Sequence, residues 1–106
     1  MNWHVKIAKT AEDDMVEIYQ YIAISLGEPG IAWKQTERIR DKIWKLDFMP
    51  ERNPVISEEP WKSREIRRVN IDNYAAFYVL DSSSATATII RILYSRRDLN
   101  SISWLD

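Results

Sequence analysis

Arginine is the residue of this chain best placed to do chemistry. Arg64, Arg67 and Arg68 precede a stretch rich in β-branched and aromatic residues that Arg91, Arg96 and Arg97 close, with Lys62 beside Trp61 and with Tyr74, Tyr78 and Tyr94 interleaved. A guanidinium grips phosphate or carboxylate through a rigid two-pronged fork, and aromatic rings stack on nucleobases, so this mixture suits a nucleic acid or another anionic surface. Such arginines could also stabilise the charge that develops on phosphate during phosphodiester cleavage, without a histidine or a metal. Competing with this is the plainer possibility that several are solvated strand residues or pair with Glu65, Asp72 and Asp98.

Other chemistries find little footing. His4 is the only histidine, and the acids lie mostly in a helix or a loop, so neither a His-centred triad nor a metal-ligand spacing is present. Glu58 and Glu59 form the one close carboxylate pair in a predicted loop, where neighbouring acids ordinarily face water. The two glycines, Gly27 and Gly30, follow no strand, which leaves no phosphate loop. No metal and no cofactor is expected.

The chain that must position the arginines has 106 residues, enough for one compact domain with its own core. At 45% hydrophobic and 29% charged it has the composition of a folded globular protein. The absence of cysteine rules out disulfides, and no segment has the apolar length of a membrane span or a signal peptide, so a cytoplasmic protein without membrane contact is expected. Although the net charge is only −1, from Ala11 to Phe48 acids outnumber bases eight to five, and from Trp61 to Arg97 bases outnumber acids seven to three. One positive face can follow from that polarity.

Periodicity gives the elements. "WHVKIA" alternates, placing Trp3, Val5 and Ile7 on one side of a short strand. Thr10 is expected to cap a helix whose first turn carries Glu12, Asp13 and Asp14 and whose apolar stripe is Met15, Ile18, Tyr19, Ile22 and Leu26. Gly27 and Pro29 mark a stop and a fresh start, which predicts an antiparallel helix hairpin. Ala32, Ile39, Ile43 and Leu46 line the inner face of the second helix, flanked by Trp33 and Trp44, and Pro50 ends it. Residues 51–60 read as an irregular connection. Three strands follow, near 64–71, 74–80 and 86–94, with turns at "DN" and "DSSS" that make an antiparallel meander. Ile66 and Val69 have opposite parity in that scheme, and a bulge at Arg67 and Arg68 is expected to reconcile them. The expected fold is α+β, in the order β-α-α-β-β-β, with a helix hairpin packed on one face of the sheet. Trp33, Trp44 and Trp104 can serve as core or as a surface for a partner.

Four pieces in this order, "VKIAKTAEDDMVEIYQYIA", "FMPERNP", "REIRRVNIDNYAAFYVLD" and "TIIRILYSRRDL", resemble the RelE/ParE superfamily of type II toxins over nearly the whole chain. The resemblance implies a single toxin domain over residues 1–106 that inhibits growth, and a cognate antitoxin that neutralises it, in a possible hetero-oligomer. RelE-like members cut mRNA in the ribosomal A site; ParE-like members poison DNA gyrase. Carried onto this chain, the ribonuclease site would comprise Arg68, Tyr94, Arg96 and Arg97. However, Ala75 stands where RelE-type members have an arginine after the tyrosine, and the tail "LNSISWLD" supplies no tyrosine or histidine. The departures, with "YSRRDL", favour ParE-like action on gyrase. A ribosome-dependent ribonuclease is the first alternative, and an inactive member that only binds antitoxin and co-represses its operon is the second. The residues expected to meet target or antitoxin are Arg64, Arg67, Arg68, Arg91, Arg96 and Arg97, with Trp61 and Trp104.

Overall fold

The computed structural model describes residues 2–104; Met1, Leu105 and Asp106, which the single-domain reading takes in, lie outside them. The element order is β1 (His4–Ile7), α1 (Lys9–Gln20), a π-helical turn (Tyr21–Ser25), α2 (Pro29–Trp44), β2 (Arg67–Ile71), β3 (Tyr74–Asp81) and β4 (Thr86–Tyr94), with short 3-10 turns at Lys45–Asp47, Pro50–Arg52 and Leu99–Ser101. Among the described residues no helix is long and apolar enough to cross a membrane.

The strands form one sheet in the order β1-β4-β3-β2. β2, β3 and β4 make the expected antiparallel meander, whereas β1 pairs parallel with β4, so the sheet is mixed. Two reversals leave β4 pointing the way β2 does, and the 45–66 connection carries the chain back across the sheet before β2 begins. His4 lies exposed on the edge strand β1, paired with Thr86.

The helix hairpin covers one face. Ala11, Met15 and Ile22 from the first helical arm and Ala32, Ile39, Ile43 and Leu46 from the second are buried; all of these but Ile22 and Ala32 share a core with Val69, Ile71, Ala76, Tyr78, Ile89 and Ile92. Leu46 is fully buried, so Leu46→Ala should cost about 2–5 kcal/mol in a urea titration. The stripe of α1 departs from expectation at two places: Tyr19 is exposed, and so is Leu26. The cause at Leu26 is the π turn, whose Leu26 N–H donates to Tyr21 C=O at 3.0 Å and so inserts a residue that rotates the end of the arm. Gly27 then reverses the chain at φ +67°, a conformation that costs glycine little.

Thr10 does not cap α1. The N-cap is Ala8, and the Thr10 hydroxyl donates to the Ile90 carbonyl at 2.8 Å. That carbonyl belongs to the actual bulge. β2 pairs with β3 residue for residue from Arg67 to Ile71, so the bulge expected at Arg67 and Arg68 is absent. The irregularity lies between β3 and β4, where Phe77 faces Arg91, Tyr78 faces Ile89, and Ile90 is the extra residue. The Ile66–Val69 conflict is resolved differently: Glu65 adopts φ +54°, β2 begins one residue after Ile66, and the two apolar side chains enter different cores.

That second core occupies the other face of the sheet. Trp61, Ile66, Ala75, Phe77, Leu93 and Ile102 are buried there, with Ile56, Val79, Leu99 and Trp104 against them. The segment before β2 and the tail after β4 therefore supply a lid for a face that the hairpin leaves bare.

Candidate functional site

The arginines fall into three groups according to what their guanidinium groups hold. Arg91, on β4, faces Asp14 of α1 in a two-pronged ion pair, Nε to Oδ2 and Nη2 to Oδ1 both at 2.8 Å, and gives Nη1 to the Ser103 carbonyl at 2.9 Å. Asp14 also accepts the Ile92 N–H at 2.9 Å, so one buried carboxylate joins α1 to β4 beside the bulge, and Arg91 adds the tail. The Asp14 hydrogen bond, ahead of the opposing effect of burial, raises the Arg91 pKa further above its already basic value. Arg67 points to the hairpin side and donates to the Glu51 carbonyl at 3.0 Å and the Asn53 carbonyl at 2.6 Å. Tyr78, fully buried beside it, gives its hydroxyl hydrogen to the Pro50 carbonyl and accepts from Asn53. Arg67 and Arg91 thus spend their donors on the fold.

Arg68 reaches toward the turn that carries Arg96 and Arg97 at one end of the sheet, and Arg97 lines a groove on the hairpin side. Arg68 lies on the opposite face from Arg67, its guanidinium 5.5 Å from the Phe77 ring centroid. Its Nε donates to Asn70 at 2.9 Å, and its Nη2 reaches the Ser95 carbonyl at 3.2 Å, next to Arg96. The Ser95 N–H bonds to the Asn73 carbonyl at 2.8 Å and the Arg97 N–H to the Tyr94 carbonyl at 2.9 Å, which fixes the turn that carries both exposed arginines. Neither Arg96 nor Arg97 has a side-chain ion pair among the described residues. Arg38 of α2 joins this end through Asp72 at 2.8 Å, and that hydrogen bond, then the one from Gln35, holds the Asp72 carboxyl below its ordinary pKa.

Arg64 stands apart, exposed beside Trp104 over the second core. The two tryptophans expected on a binding surface are packed inside instead. Trp61 is 4% exposed, and Trp104 is half-buried, meeting Trp61 edge-on at 6.4 Å and Phe77 at 5.1 Å. Their burial follows from the bare sheet face, which needs large apolar side chains to cover it. Trp33 and Trp44 by contrast remain 62% and 50% exposed on the outside of α2.

Tyr94 is separated from Arg68. It pairs across the ladder with Tyr74 on the hairpin side, the two rings edge to face at 6.0 Å, whereas Arg68 points from the other face. Ala75, where an arginine would belong in a RelE-type site, is fully buried in the second core. The sequence reading missed Asp14 as a buried partner and Tyr21 as a neighbour of Tyr74 and Tyr94 in one groove. Asp14 had a signal: it lies one turn before Ile18 and beside Met15, on the stripe that faces the sheet.

A four-stranded mixed sheet with a helix hairpin on one face is a fold the chain shares with solved ParDE and RelE toxin structures. The family model described as the ParE toxin of type II toxin–antitoxin system, parDE, matches residues 5–99, and the chain belongs to that family. It is a toxin component of a type II toxin–antitoxin system. Solved structures agree in fold. The chain is similar to a chain of the chromosomal ParDE system from P. aeruginosa, at 19% identity and a TM-score of 0.70 over 87% of this chain and 95% of that one. It is also similar to a chain of the toxin–antitoxin complex RelBE2 from Mycobacterium tuberculosis, at 17% identity and a TM-score of 0.64 over 89% and 99%. A chain of the archaeal RelE–RelB complex from Pyrococcus horikoshii OT3 shares 18% identity with a TM-score of 0.56 over 92% and 100%. No curated protein matches the chain.

Proposed function

We propose that this toxin arrests growth by ParE-like poisoning of DNA gyrase, with Arg68, Arg96 and Arg97 as the residues that engage the target, and that a cognate antitoxin neutralises it by covering the same end of the sheet. What supports gyrase over RNA cleavage is the separation of Arg68 from Tyr94. General acid–base catalysis needs a proton donor or acceptor within hydrogen-bond reach of the reacting oxygen, about 2.6–3.2 Å away. Arg68 has no tyrosine on its face of the sheet: Tyr94, though it lines a groove with Arg97, faces the hairpin, and Ala75 is sealed in the second core. Such a surface binds anions well and moves protons poorly.

An antitoxin partner is supported by the two related complexes and by exposed guanidinium groups suited to an acidic segment. The test against cleavage is a purified translation reaction on a defined mRNA, read by primer extension with and without the toxin. The expected message is intact. Cuts within translated codons that vanish when ribosomes are omitted would replace the gyrase reading with a ribosome-dependent ribonuclease.

A further inference from the structure

We propose that the groove between the π turn and the end of β4 is a nucleotide site, which takes an unpaired base bearing an exocyclic amino group, guanine foremost, with the phosphate on Arg97. This inference goes beyond the gyrase reading and stands whichever target the toxin has. The groove has a volume of about 740 Å³, within the roughly 300–1,000 Å³ of small-ligand pockets. Three tyrosines from three elements converge on it: Tyr21 opens the π turn, Tyr74 opens β3 and Tyr94 closes β4.

These tyrosines differ from the one in the core. Tyr78 has no exposed surface and a fully engaged hydroxyl, whereas Tyr21 is 56% and Tyr94 48% exposed, so both keep surface open to a ligand. Tyr74 packs its ring edge to face on Tyr94, and burial, followed by the nearby Tyr21 and Tyr94 phenols, raises its hydroxyl pKa. Partly exposed tyrosines are stacking platforms, and every base has a π face to offer them.

The charges on the two walls choose the ligand. Arg97 lies on the sheet side, and Glu17 and Gln20 lie on the helix side. Asp14 and Arg91 at the base hold each other in a two-pronged ion pair. Glu17 adds a through-space attraction to Arg91 but keeps its carboxylate oxygens free of side-chain hydrogen bonds among the described residues, and Arg97 is the remaining cation. Neither Glu17 nor Arg97 has a side-chain ion pair among the described residues. A guanine can donate its ring N–H and its amino group to one carboxylate while its phosphate meets a guanidinium. Thymine and uracil would turn carbonyl oxygens toward Glu17, and an acidic peptide would bring its carboxylates against it.

The test uses the full chain and two fluorescein-labelled single-stranded DNA hexamers, one all thymine and one with a single central guanine, followed by fluorescence anisotropy at fixed salt. Saturable binding is expected, about tenfold tighter for the guanine hexamer, the discrimination of one well-made base contact. Tyr21→Ala should weaken both by about tenfold through loss of stacking. Glu17→Gln, close in shape to the native side chain, should make the two hexamers bind alike. Absence of saturable binding, or binding indifferent to both substitutions, would overturn the proposal. So would a Tyr21-dependent binding of an acidic peptide by a chain that ignores both hexamers, which would make the groove a peptide site.

Discussion

Alanine at both Arg96 and Arg97 is expected to abolish growth arrest and leave the fold intact. Both side chains are exposed, and their turn is held by backbone bonds, Ser95 N–H to Asn73 C=O and Arg97 N–H to Tyr94 C=O, which truncation does not touch. Surface substitutions of this kind usually change stability by no more than about 0.5 kcal/mol. On an anionic target the loss is far larger, because each hydrogen bond from a charged group contributes about 1.5–3 kcal/mol. Two such losses weaken binding by roughly a hundredfold or more. The check pairs colony counts after induction without antitoxin with a thermal melt of the purified variant. Arrest by a folded double variant would remove these arginines from the site. A variant that no longer melts cooperatively would mark them as structural.

Arg91→Ala should instead act through the fold, with a cost of about 3–5 kcal/mol, the usual consequence of stranding one partner of a buried ion pair. The Asp14 side chain is 9% exposed and Arg91 18%. Without the guanidinium, Asp14 keeps only the Ile92 N–H, and the tail loses its bond at Ser103. Urea denaturation followed by tryptophan fluorescence measures the loss, and the second core, which holds Trp61 and Trp104, should report it. Arg91→Met combined with Asp14→Asn should recover part of the stability, since no buried charge is stranded and the amide oxygen can still accept the Ile92 N–H. Because the folded-state pKa of Arg91 is raised, its contribution is complete below the ordinary arginine value and is lost only as pH rises through the folded one. From neutral pH up to the ordinary arginine value the guanidinium contribution should therefore stay constant.

The contrast between Arg91 and its neighbours in the doublet explains what was legible in the sequence. Three-and-four spacing revealed the inner face of the second helical arm, because Ala32, Ile39, Ile43 and Leu46 are all fully buried. The pattern of turn residues around β-branched and aromatic runs likewise revealed β3 and β4. It could not show that the sheet is covered on both faces, since the lid consists of irregular chain around Trp61 and Ile102, far apart in sequence and without period. For the same reason the two parities of Ile66 and Val69 looked like a bulge. They are one strand start and two cores. The true bulge at Ile90 lay in "IIRIL", where adjacent apolar pairs flank Arg91 and leave no clean alternation to read.

At the site, composition singled out the arginines and tertiary structure sorted them. Arg67 and Arg68 are adjacent, so the pleat sends them to opposite faces, one to loop carbonyls and the other toward Ser95. Tyr94 and Arg68 face apart by the same rule applied across three strands. The π turn had no sequence mark at all, and with it Tyr21 escaped notice.

The account is tested most directly by incubating purified gyrase with plasmid DNA, ATP and the toxin, then adding detergent and protease to release any broken DNA. Linear plasmid should accumulate with the native chain and not with the Arg96→Ala, Arg97→Ala variant. Supercoiling that proceeds unchanged, with no linear DNA released at toxin in molar excess over gyrase, would contradict it.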